Sequence, residues 1–146
     1  MYFLEARCSK SGVQVVRELA RDLPQIVADP AQVKQILVNL VVNAVQAMPD
    51  GGTLTIGTRA IDSSVELFVE DTGTGMSAEI LEKIFLPFFT TKDVHGGTGL
   101  GLSVVHGIVT AHGGTIKARS RPGLGTRMEI RLPISVPEET QESNRQ

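Results

Sequence analysis

At 146 residues, with a formal net charge of −2 and 4% aromatic side chains, the chain suits one domain and lacks both the basic surface and the stacking platforms of a nucleic-acid binder. Its one cysteine, Cys8, cannot close an internal disulfide and has no metal-site spacing, which fits a reducing compartment and an incidental residue. No apolar run approaches the roughly 20 residues that cross a bilayer, and the start Met1-Tyr-Phe-Leu-Glu-Ala-Arg7 is too short and too charged for a secretory signal, so a soluble chain without membrane contact is expected.

Residues 1–11 read as a remnant of a preceding helix or linker. Val13, Val15 and Arg17 then alternate with Gln14, Val16 and Glu18, and Gln25-Ile-Val-Ala-Asp29 follows Leu23-Pro24. Two short strands are expected there. Asp29-Pro30 opens a helix, with a side-chain acceptor at the cap and proline at the first helical position. That helix should run from about Pro30 to Met48, burying a stripe of Val33, Ile36, Leu37, Leu40, Val41 and Ala44 before Pro49-Asp-Gly-Gly52 stops it.

The runs Thr53–Thr58 and Val65–Glu70 alternate at period two around Asp62-Ser-Ser64, the pattern of an antiparallel hairpin that delivers Asp71 at its end. Ser77 is placed to open a short helix, Ala78 to Ile84, with reciprocal capping. Residues 85–99 hold no long periodic run. Leu100 to His112 returns to helical spacing, with Leu102, Val105, Ile108 and Val109 inward, and Gly113-Gly114 ends it. Thr115–Ser120 and Thr126–Leu132 supply a last strand pair. Residues 135–146 are polar and unpatterned, as in a disordered tail. The order predicts an α/β two-layer sandwich over residues 12–134. It would be a mixed, mostly antiparallel sheet of about five strands with three helices on one face.

Several pieces could carry chemistry. Asn39 and Asn43 stand one above the other on a helix face, where an amide oxygen could meet a hard cation or simply face water. Asp71 ends a strand before Thr72-Gly-Thr-Gly75. Its carboxylate could accept from an amino group while the glycines let backbone approach a ring, or it could belong to an ordinary Asp-Gly turn. Gly97-Thr-Gly-Leu-Gly101 runs into a helix start, placing N–H groups and a positive dipole end where phosphate could lie. It is neither a Walker motif nor a Rossmann fingerprint. A flexible loop is the alternative. Lys92 could reach phosphate or be a solvated surface residue. Phe85, Phe88 and Phe89 cluster beside Pro87, either packed on the core or anchoring a partner.

Taken together, Asn39-Leu-Val-Val-Asn43-Ala, Asp71-Thr-Gly-Thr-Gly75, Phe85-Leu-Pro-Phe-Phe-Thr-Thr-Lys92 and Gly97-Thr-Gly-Leu-Gly-Leu-Ser103 resemble the ATP-binding domain of bacterial sensor histidine kinases. That domain belongs to the wider GHKL group with gyrase B, a mismatch-repair ATPase and a chaperone class. The resemblance implies the left-handed-crossover sandwich of that group, with ATP and Mg²⁺ as cofactors. It places Mg²⁺ on Asn43 and adenine on Asp71, with Thr126 in support. Ala47, Gly73, Gly75, Met76, Thr91, Lys92, Gly97, Thr98, Gly99, Leu100, Gly101 and Leu102 complete the implied nucleotide contacts, under a lid from Ser77 to Gly96.

Hydrolysing relatives usually carry a glutamate general base four residues before the magnesium asparagine; here that residue is Asn39, which takes up no proton at neutral pH. The implied outcome is that the phosphoryl group is kept for a better nucleophile, with Asn39, Asn43 and Lys92 serving the transfer. His95, His106 and His112 lack the setting of a phosphoacceptor histidine, so a catalytic fragment is expected. Its partners would be a dimerisation and phosphoacceptor domain and, indirectly, a response regulator. The implied state is a cytoplasmic monomer, with any membrane spans of the parent upstream. Gln46 departs from the usual basic residue three positions after Asn43. The Phe-Phe-Thr-Thr-Lys segment resembles the nitrogen-regulation subtype. A serine-kinase anti-sigma factor and a non-catalytic ATP-binding module remain as rival readings.

Overall fold

The computed structural model describes residues 2–87 and 101–134. Along the described chain run α1 (Tyr2–Lys10), β1 (Val13–Leu19), α2 (Pro30–Gln46), β2 (Gly52–Ile61), β3 (Ser64–Asp71), α3 (Ala78–Leu81), α4 (Gly101–Ala111), β4 (Thr115–Arg121) and β5 (Gly125–Pro133). The strands form one sheet in the order β1-β2-β3-β5-β4. β1 lies parallel to β2 and every other pair is antiparallel. This is the expected five-stranded mixed sheet under helices.

Alternation decides the two faces. Leu67 and Val69 of β3 pack toward the helices, with Leu54, Met128 and Ile130 of the neighbouring strands. The α2 stripe of Ile36, Leu40, Val41, Ala44 and Val45 closes over them, as do Val105 and Val109 of α4. The Asp29 carboxylate caps α2 by accepting from the Ala31 N–H at 2.9 Å. His112 ties the end of α4 to that cap. Its Nδ1 donates to the Ile108 carbonyl at 2.8 Å, which leaves Nε2 to accept from the Asp29 N–H at 3.2 Å.

The opposite face of the sheet carries a charge web. Glu66 is fully buried and accepts from Arg59 at 2.8 Å and Arg131 at 3.2 Å. Burial pushes its pKa up, but the bonds and charges of Arg59 and Arg131 outweigh that and hold it below the usual value. Glu129 meets Arg119 at 2.9 Å. The Arg127 guanidinium lies 3.9 Å from the centre of the Phe68 ring.

Several expectations change. Residues 25–29 join no ladder; Pro24 and Pro30 bracket them, and proline supplies no N–H to a sheet. Residues 2–10 form a helix whose Cys8 is 1% exposed and lies in the core cluster, so Cys8 is a packing residue and not incidental. The short helix ends at Leu81, not Ile84. Its cap runs one way only, from the Ile80 N–H to Ser77 Oγ at 3.3 Å, because Ile80 has no side-chain acceptor to return the bond. α2 ends at Gln46, two residues early, with Ala47 as its cap. The tail lies outside the described residues.

Candidate functional site

Asp71, the last residue of β3, is 7% exposed. It stands opposite Leu54 on one side and Thr126 on the other, and Thr126 in turn faces Ser120. Residues directly opposite in a sheet point to one face, so Asp71, Thr126 and Ser120 form a polar row beside the fully buried Leu54. Asp71 Oδ1 accepts from the Gly73 N–H at 2.9 Å and from the Thr126 N–H at 3.2 Å. Among the described residues no third donor reaches the other oxygen. Burial raises the Asp71 pKa above the ordinary carboxylate value, Glu70 adding to the rise, and the two N–H bonds offset only part of it.

The loop after Asp71 is clamped between α2 and the β4–β5 turn. The Thr74 N–H donates to the Ala47 carbonyl at 2.9 Å, and the Gly123 N–H to the Thr74 carbonyl at 2.7 Å. Thr72 Oγ1 accepts from the Thr53 N–H at 3.0 Å, and the Met76 N–H donates to Ser120 Oγ at 2.8 Å. A side chain on Gly73 would run into the Ala47 carbonyl oxygen. One on Gly75, whose φ is +70°, would meet the Arg121 carbonyl oxygen. These glycines are needed first for backbone-on-backbone packing inside the protein, a reason different from the ring contact expected of them.

A second cluster sits where α2 faces the start of α4. Asn39 Nδ2 donates to the Gly101 carbonyl at 3.2 Å while its Oδ1 accepts from Gln35 at 2.9 Å. Asn43, one turn on, lies so close that a Cβ on Gly101 would be 3.7 Å from its Nδ2. Leu102 follows in the first turn of α4, half-buried against the core. Phe85 also packs against the core, its ring centre 5.5 Å from that of His106.

The expected residues that are described fall into two groups. Asp71, Gly73, Gly75, Met76 and Thr126 surround the β3 terminus, with Ala47 touching the same loop, while Asn39, Asn43, Gly101 and Leu102 meet between the helices. Thr91, Lys92, Gly97, Thr98, Gly99 and Leu100 lie outside the described residues, as do Phe88, Phe89 and His95. Ser120 was not foreseen, although Ile116, Ala118 and Ser120 share the inward register of β4; a hydroxyl ending that apolar register was the available signal. Among the described residues no group of three or more His, Cys, Asp or Glu side chains could hold a metal ion.

The family described as histidine kinase-, DNA gyrase B-, and HSP90-like ATPases matches residues 28–136. The sensor kinase CckA of Brucella abortus (strain 2308) is 45% identical over 150 residues, covering 92% of this chain and 16% of its own length. The sensor histidine kinase ZraS of Escherichia coli O157:H7 is 46% identical over 114 residues, covering 78% of this chain and 24% of its own. The chain thus spans under a quarter of the length of these relatives. The catalytic domain of histidine kinase ThkA superposes with a TM-score of 0.80 at 34% identity, over 90% of this chain and 86% of that one. Full-length ShkA in complex with AMPPNP gives 0.82 at 29% identity, over 93% of this chain and 28% of that one.

Proposed function

The chain belongs to the family of histidine kinase-, DNA gyrase B- and HSP90-like ATPases, as an ATP-binding catalytic domain of the sensor histidine kinase kind, and from that premise we propose that it presents ATP for phosphoryl transfer to a histidine on a separate helical domain. In that step the bond from the γ-phosphorus to its bridging oxygen breaks, a phosphorus–nitrogen bond forms on the imidazole, the ring gives up its proton to solvent, and ADP leaves.

The observation that carries this reading is Asp71, a buried carboxylate with one oxygen held by two backbone N–H groups. Those bonds fix its direction and leave the second oxygen to accept from a ring amino group, which selects adenine over a base bearing a carbonyl there. Asn43 carries a neutral amide oxygen, the kind of ligand that Mg²⁺ would accept alongside waters and phosphate oxygens. Bound there, Mg²⁺ would supply positive charge to neutralise the phosphates.

Asn39 supports transfer rather than hydrolysis. Its amide is engaged at both ends, to Gln35 and to the Gly101 carbonyl, and an amide removes no proton from water. Transfer then depends on positioning and charge neutralisation. Calorimetric titration with ATP, GTP and ADP, with and without Mg²⁺, tests the reading, followed by incubation with radiolabelled ATP and a helical phosphoacceptor domain supplied in trans. Magnesium-assisted, adenine-selective binding, slow hydrolysis and label on the acceptor histidine are expected. Absence of nucleotide binding would overturn it.

A further inference from the structure

We propose that Ser120 sets the direction of the Thr126 hydroxyl proton, and through it makes the pocket edge beside Asp71 accept a purine amino group and reject a ring carbonyl. The inference rests on the nucleotide-site reading above and assigns a specificity-determining positioning residue to it.

Ser120 Oγ makes three contacts. It accepts from the Met76 N–H at 2.8 Å, lies 2.9 Å from the Gly125 carbonyl oxygen, and lies 2.8 Å from Thr126 Oγ1. A hydroxyl has one proton and two lone pairs, whereas a carbonyl oxygen can only accept. The Ser120 proton therefore goes to Gly125. Given to Thr126 instead, it would leave the carbonyl of buried Gly125 facing serine lone pairs. With that proton committed, the short contact between the two hydroxyls closes only if Thr126 donates. Ser120 is then saturated, with one lone pair taken by Met76 and the other by Thr126.

The consequence falls on Thr126. Its proton is turned away along the row toward Ser120, so its oxygen shows only lone pairs on the remaining sides. Its neighbour in that row is Asp71, whose carboxylate is also an acceptor and whose Oδ1 is held by the Thr126 N–H. The row thus presents acceptors without a side-chain donor. A purine with an amino group at carbon 6 supplies the donors it needs; one with a carbonyl there sets oxygen against oxygen. Without Ser120 the Thr126 hydroxyl would turn freely and donate to that carbonyl.

The test compares ATP with ITP, which differ at that edge of the base, by calorimetry on the whole chain in its wild-type form and as Ser120→Ala and Ser120→Thr. The wild type should prefer ATP. Ser120→Ala should narrow the ATP-to-ITP preference by about tenfold, the worth of one hydrogen bond, and Ser120→Thr should restore it. Equal loss of both nucleotides in Ser120→Ala, leaving the ratio intact, would overturn the proposal and make Ser120 a plain structural support. If thermal melting shows that Ser120→Ala does not fold, Ser120→Cys, whose thiol is a weak donor and acceptor, decides by the same ratio, a narrowed preference supporting the proposal and an unchanged one overturning it. A wild type that binds neither nucleotide overturns the site reading itself, a result distinct from wild-type binding with unchanged variant ratios.

Discussion

Asp71 and Thr126 face each other across the β3–β5 pair, and the Thr126 N–H donates to Asp71 Oδ1 at 3.2 Å. A backbone group of one strand thereby aims a side chain of the next. Asp71→Asn keeps an oxygen for the two N–H donors but replaces the other acceptor with an amide donor. ATP affinity should fall at least about tenfold, while the melting temperature holds. Calorimetry and thermal unfolding on the same sample check this; near-unchanged affinity would sink the assigned role.

The raised pKa of Asp71 gives a pH signature. An acid whose folded pKa exceeds its unfolded value contributes most favourably to stability while it is protonated, and loses that contribution as pH rises from the unfolded value through the folded one. Ionised Asp71 therefore costs stability at neutral pH, and Asp71→Asn should be at least as stable there as the wild type. On the proposed role ATP binding runs the other way, because a proton on the oxygen left over by the two N–H bonds adds a donor and weakens that oxygen as an acceptor. Affinity should decline on acidification beginning above the ordinary value of 3.8, and the decline should be absent in Asp71→Asn.

Glu66 has the opposite sign. Its lowered folded pKa gives stability that is present above the unfolded value near 4.5 and lost as pH falls through the folded one. Glu66→Gln removes the carboxylate shared by Arg59 and Arg131, leaving Arg59 only Glu129 at 3.9 Å, and should cost about 1–3 kcal/mol at pH 7. Arg59 is 52% exposed, so water takes over part of its solvation and the lower end is expected. Urea unfolding at neutral and acid pH should show the difference between wild type and variant shrinking as the pH drops.

Two glycines should respond in opposite directions to alanine. Gly75 combines φ +70° with the Arg121 carbonyl in the way of any Cβ; Gly75→Ala should cost at least about 2 kcal/mol and weaken ATP binding by shifting the loop after Asp71. Gly107 is exposed inside α4, with nothing within 4 Å of an added Cβ. Gly107→Ala should stabilise by about 0.5–1 kcal/mol. Denaturant midpoints for the pair distinguish a clash from a backbone-entropy effect.

The α2 stripe, the β2–β3 hairpin and the β4–β5 pair were legible because each buries one face, and a one-sided burial writes its period into the sequence. The same holds for Asn39, Asn43 and Asp71, whose side chains stand at marked positions on those elements. The extended run at 25–29 misled because apolar residues after a proline look like a strand whether or not a partner strand is present. Cys8 was missed because α1 is too polar overall to announce that one of its residues enters the core. Ser120 was missed for a different reason: its importance comes from three contacts with Met76, Gly125 and Thr126, and no spacing in β4 encodes residues on other segments.

Among the described residues, the strand order leaves β1 and β4 as the rims of the sheet. β4 exposes Lys117, Arg119 and Arg121 within its seven residues. A second copy adding itself rim to rim would bring Lys117 and Arg121 against their own counterparts while trying to share hydrogen bonds, with Arg119 already paired to Glu129, so extension of the sheet from that side opposes itself.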